Sequence, residues 1–148
     1  MINPAYLKQA VINLLKADTT LVTALGNSDK IKEAQFQGQD FSYPAIRVDL
    51  QLQTPIGTGT DRVRLSNASW TIRVYSTDSS SLEADNIIGL VINAMFNKQW
   101  VGTDLSNNVN FNLVRINLIN TDPAFRISER AWMGTIVFEG LINLISPP

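Results

Sequence analysis

The chain has 148 residues, 45% of them hydrophobic and 17% charged, and 12 Lys+Arg against 13 Asp+Glu leave a formal charge of -1. That length and apolar content suit one domain with a real core and exclude a disordered chain, while the near-neutral charge argues against a strongly basic nucleic-acid-binding domain and leaves only a local basic strip open. No histidine and no cysteine are present, which excludes Ser-His-Asp and Cys-His catalysis, thiolate nucleophiles, disulfide frameworks and Cys/His zinc sites within this chain.

Residues 1–4 lack the cationic segment of a signal peptide, and the longest apolar runs are too short to cross a bilayer. The expectation is a protein made and used in a cytosol, or in something assembled there, with no membrane partner. The first element reads as a helix: Asn3 can cap it, Pro4 takes its first position, and Leu7, Ala10, Val11, Leu14 and Leu15 follow at helical spacing. Asp18 offers a second cap ahead of Leu21, Val22 and Leu25, with Gly26 as the stop. Residues 27–43 are polar and read as a connection anchored by Ile31 and Phe36.

From residue 45 the period becomes two. Ile46, Val48, Leu50 and Leu52 alternate with Arg47, Asp49, Gln51 and Gln53, the pattern of a half-buried strand. Residues 54–60 hold Pro55, Gly57 and Gly59 and read as a turn, and a second strand covers residues 63–75. Its apolar parity shifts between Val63/Leu65 and Ala68/Trp70/Ile72/Val74, which predicts a bulge near Ser66-Asn67. Together these segments form a long hairpin whose tip projects from the body. Ser80 and Glu83 have capping-box spacing, and the helix they open carries Leu82, Ile88, Val91, Ile92, Met95 and Phe96 on one face, ending near Lys98. A polar loop at 103–110 leads to a third strand at 111–119. A loop at 120–129, with Asp122-Pro123, then precedes a fourth strand at 131–144, in which Trp132, Ile136, Phe138 and Ile142 share a parity. The order α-α-β-β-α-β-β predicts a single α+β domain over residues 1–148: a mainly antiparallel sheet of about four strands, with helices packed on one face.

Few residues suggest chemistry. Gly57-Thr58-Gly59-Thr60 lies between two strands rather than at a helix N-terminus, so a hairpin tip that orders on contact is a better reading than a phosphate cradle. The carboxylates Asp49, Glu139, Asp61, Asp104, Asp122 and Glu129 could serve a histidine-free hydrolase or a divalent cation, but no D-x-D-x-D loop or other sign of convergence accompanies them. No cofactor or metal is expected. Arg47, Arg73 and Arg115 fall on the polar parity of three strands, where cross-strand ion pairing with Asp49 competes with a basic stripe facing a phosphate backbone. Arg62, Arg64, Arg126 and Arg130 flank the two hairpin loops as solubilising or interface charge. Trp70, Trp100 and Trp132 read as core or core-edge residues.

Several segments taken together resemble the tail terminator, or tail completion, family of long-tailed bacteriophages. They are LLKAD followed by L-x-x-ALG (residues 14–26), YPAIRV (43–48), WTIRVYS (70–76) running into SLEADNIIGLVINAM (81–95), and TDPAFRISERAWMGTIVFEGLI (121–142). The resemblance covers nearly the whole chain as a pattern of elements and spacing. It implies a non-enzymatic virion protein at the head-proximal end of the tail, assembled in the host cytoplasm as a homo-oligomeric ring, typically a hexamer, that caps the tail tube and stops its polymerisation. The implied partners are the tail tube protein and the neck or head–tail connector proteins, with the tail sheath a further candidate, and DNA would pass through the lumen without specific binding. Under that resemblance the expected interface residues are Ile56, Gly57, Thr58, Gly59, Asp61, Arg62 and Arg64 on the first hairpin and Asp122, Phe125, Arg126 and Arg130 on the second, with Arg47, Arg73 and Arg115 as lumen or sheet-face charges. A neck or head-completion connector and a tail tube protein are the nearest alternatives; a carboxylate-dependent hydrolase or small-ligand domain is the remote one.

Overall fold

A computed structural model of the chain describes residues 3–34, 43–56, 65–78, 80–97, 101–104, 109–128 and 131–145. Helix α1, Pro4–Lys16, starts where Asn3 Oδ1 accepts from the Ala5 amide at 3.0 Å. Helix α2, Thr19–Leu25, is capped by Asp18 Oδ1, which accepts from the Leu21 amide at 3.0 Å. It stops at Gly26, whose φ of 89° is left-handed and accessible to glycine without strain. Both helices match their sequence signals, and Leu7, Ala10, Val11, Leu14, Leu15, Leu21 and Leu25 are all buried.

The remaining elements are a 3-10 turn at Ser28–Lys30, β1 at Ile31–Glu33, β2 at Ala45–Ile56, β3 at Leu65–Ser76, helix α3 at Leu82–Asn97, β4 at Val101–Asp104, β5 at Val109–Ser128 and β6 at Ala131–Ile145. They build one six-stranded sheet of order β1-β2-β3-β6-β5-β4, antiparallel except for the parallel pair β1–β2. The α+β class and the four long strands follow the sequence. The two short strands do not: β1 lies in the expected connection at 27–43, and β4 overlaps the expected loop at 103–110. Neither is long enough to show a period of its own.

One sheet face carries the core. The register aligns Val48, Ile72 and Ile136 in one row and Leu50, Trp70 and Phe138 in the next. The Trp70 and Phe138 rings stack with centroids 6.1 Å apart. Helix α3 lies over β3, β6 and β5, while α1 touches β1 and β2 on one side and β4 on the other. One helix thus meets strands from both margins of the sheet, so the sheet curls around its helical layer. The buried stripe of α3 is Ala84, Ile87, Ile88, Val91, Ala94 and Met95, and each buried large aliphatic contributes about 1.5–3 kcal/mol. Leu82 and Phe96, assigned to this stripe by sequence, are exposed; two alanines take their share because the helix sits close to the sheet.

Two further expectations are corrected. The bulge is not at Ser66-Asn67, where pairing with β6 runs without interruption; it is on β2, between Leu50 and Leu52. Ser66 occupies a buried position on the core parity, so a polar residue made the pattern look broken. The capping box is also incomplete. Ser80 Oγ accepts from the Leu82 amide at 3.3 Å, but Glu83 Oε1 accepts from Ser76 Oγ at 2.7 Å, tying the helix start to the end of β3 rather than to its own cap.

Candidate interaction surface

Residues 120–128 are strand, not loop. β5 continues to Ser128 and β6 begins at Ala131, which moves Asp122, Phe125 and Arg126 from the expected loop onto a sheet edge. Their neighbours are defined: Asp122 accepts from Asn120 Nδ2 at 3.3 Å, Phe125 pairs with Met133, and the Arg126 guanidinium sits 5.3 Å from the Trp132 ring centroid. The Ala124 amide donates to Asp85 Oδ1 at 2.9 Å, fixing this part of β5 to the first turn of α3.

β5 has a partner on one side only along most of its length. β4 pairs with Val109–Asn112; from Leu113 to Ser128 the outer edge has no strand beside it among the described residues. The inner edge pairs with β6 through four register shifts, between Leu113/Arg115, Leu118/Asn120, Asp122/Phe125 and Arg126/Ser128. Val114, Ile119 and Ile127 stand at three of those shifts with no residue opposite on β6. All three are exposed, as are Leu118 and Phe125, with relative exposures of 39–55% across the five. Phe96 at the end of α3 is also exposed and packs edge-on against Phe138, the residue that pairs with Leu118 across the ladder. Among the described residues most of the exposed large apolar side chains therefore belong to one strand. Sequence reading placed the strand's first half correctly but missed its edge, because bulged residues do not follow the two-residue period.

The three arginines of the proposed basic stripe separate. Arg47 and Arg73 are direct cross-strand neighbours, and Arg73 also lies 4.0 Å from Asp49, so the ion-pair reading holds there. Arg47 is buried; its Nη1 donates to the Lys30 and Ile46 carbonyls at 3.1 and 2.9 Å. Burial lowers its pKa, against the opposing pull of Tyr75 and Glu33. Arg115 shares their sheet face but stands in the row of Asn67, six residues along β3 from Arg73, or about 20 Å away. The structure does not join the three into a stripe. Ile56 ends β2, paired with Leu65; Gly57, Thr58, Gly59, Asp61, Arg62, Arg64 and Arg130 lie outside the described residues, as does Trp100. Trp70 is in the core, and Trp132 is half-buried with Nε1 donating to the Asp78 carbonyl at 3.2 Å.

Among the described residues no group of three or more acidic side chains is placed to hold a metal ion. Asp49 and Glu139 share a sheet face but stand two strands apart, and Asp49 already has Arg73 beside it. Among the described residues no helix is long and apolar enough to cross a membrane.

No protein-family model and no curated protein matches this sequence. Solved structures do match its fold. A chain from the virion of a native gene transfer agent (GTA) particle superposes with a TM-score of 0.71, at 17% identity, covering 94% of this chain and 96% of the other. A second solved protein of unstated role superposes with a TM-score of 0.56 at 11% identity, covering 97% of this chain and 94% of its own. At these identities the likeness is one of fold.

Proposed function

We propose that this chain is a structural component of a phage-like virion, and that within that class it acts as a tail terminator. The observation that carries the reading is end-to-end agreement of the fold with a chain of a gene transfer agent virion. The absence of His and Cys supports a role without covalent chemistry. The mechanism is then geometric. Copies close into a ring, typically of six; one ring face fits the last ring of the tail tube, and the other refuses a further tube subunit while seating the neck. Closure repeats a modest contact around a cycle, so that no single contact need be strong. A near-neutral subunit suits a bore through which DNA must slide without being retained. The first hairpin around Gly57–Thr60 and the edge residues Asp122, Phe125 and Arg126 are the contacts assigned to neighbours in this reading.

Electron microscopy of the purified chain mixed with tail tubes tests it. The expected result is one added ring at a single tube end and arrested tube growth. Long tubes formed by the chain alone would make it a tube protein, and binding to portal or adaptor without binding tubes would make it a neck component.

A further inference from the structure

We propose that the exposed face of helix α3 docks on the same face of a second copy of this chain, antiparallel and centred on Gly89. The contact uses residues to which the ring reading gives no role.

The side of α3 turned away from the sheet consists of Leu82, Asn86, Gly89, Asn93 and Phe96, all exposed. At about 100° per residue the five fall within about 80° of arc. A helix face left to water ordinarily carries charge; this one carries none. The carboxylates of α3, Glu83 and Asp85, turn to their own subunit, where they accept from Ser76 Oγ and the Ala124 amide. In their place the face offers water Leu82, 73% exposed, and Phe96, 46% exposed although its ring packs edge-on against Phe138. Glycine weakens a helix interior, and packing within the subunit does not require it here: a Cβ at Gly89 would meet nothing within 4 Å. What the missing side chain allows is the close approach of another backbone.

The order of the five residues identifies that backbone. Leu82 and Phe96 each stand two turns, or about 10 Å, from Gly89 along the helix, and Asn86 and Asn93 stand about one turn to either side of it. An antiparallel pair crossing at Gly89 sets Leu82 of each copy against Phe96 of the other. It also sets Asn86 beside Asn93, and their amides can both donate and accept. Apolar thus meets apolar and amide meets amide, so the face is its own complement, which a two-fold contact requires. A parallel pair would match the apolar residues but would crowd the Glu83 and Asp85 carboxylates of both copies at one end. The antiparallel pair puts them at opposite ends and opposes the two helix dipoles.

The chain has no cysteine, so one introduced thiol reads one contact. Gly89→Cys places it at the crossing, where the two Cα atoms come within the roughly 4.4–6.8 Å that a disulfide spans. Asn117→Cys is the control, exposed on the sheet face away from the helices. With oxidised glutathione and equal protein concentrations, Gly89→Cys should form disulfide-linked dimers at least about tenfold faster than the control. Adding Leu82→Glu to Gly89→Cys should slow that rate about tenfold, because each copy loses a buried leucine at the contact. Thermal unfolding near that of the parent chain will show that each variant is folded. A head-to-tail ring contact joins unlike residues and does not bring position 89 to itself, so failure of the ring and failure of this contact are read separately. Cross-linking of Gly89→Cys no faster than the control, or a rate indifferent to Leu82→Glu, would overturn the proposal.

Discussion

Gly140 shows how closely the sheet is packed on its core side. It sits on β6 between Ala68 of β3 and Ile116 of β5. A Cβ there would come within 2.7 Å of the Trp70 ring and 2.8 Å of Leu113 Cδ1. The absence of a side chain is what lets the indole lie flat across the strand and stack on Phe138. Gly140→Ala is therefore expected to destabilise the fold by about 1–3 kcal/mol through overpacking. The measurement is the midpoint of urea denaturation, with an unchanged slope indicating that the same surface is exposed on unfolding.

Helix α3 and strand β5 are tied by a side chain that reaches across 39 residues of sequence: Asp85 Oδ1 accepts from the Ala124 amide at 2.9 Å. That amide falls within the register shift between Asp122 and Phe125, where the ladder with β6 has a gap, so the carboxylate stands in for a missing strand partner. Asp85→Ala should cost about 1–3 kcal/mol, because the amide loses its acceptor in a partly buried place. Hydrogen exchange at Ala124 should quicken while that of the central strands stays slow. No sequence rule reveals such a tie, since an Asp in the first turn of a helix reads as a favourable charge and nothing more. The helices themselves were legible because their caps are local: Asn3, Asp18 and Gly26 act on residues two to four positions away. The paired strands were legible where burial alternates cleanly, as along β3 from Ser66 to Ser76 apart from Thr71. β5 was half-hidden because its register shifts move apolar residues to the open side, and Asp122-Pro123 imitates a turn within it. Asp122, Phe125 and Arg126, expected on a hairpin loop, therefore stand on a strand instead.

At the scale of the whole molecule, the missing histidines and cysteines have a physical consequence apart from catalysis. The two side chains whose reference pKa values lie nearest neutrality are absent, and stability changes with pH only where the folded and unfolded states bind different numbers of protons. The denaturation midpoint should therefore vary by less than about 0.5 kcal/mol of stability between pH 6 and 7.5, measured in a single buffer series. A steep slope in that window would require a carboxylate held far above its ordinary range, or an amine held below its own, by its surroundings.

The sheet order also bears on how the newly made chain folds. β6 is preceded in the chain by every other strand yet lies in the middle, between β3 and β5. Until it leaves the ribosome, β1-β2-β3 and β5-β4 are two pieces without a seam, and α1, which touches strands at both margins, has only half of its bed. A polypeptide cut short before residue 131 therefore lacks the strand that joins the two parts of the sheet, and is expected to be far more open to proteases than the full chain.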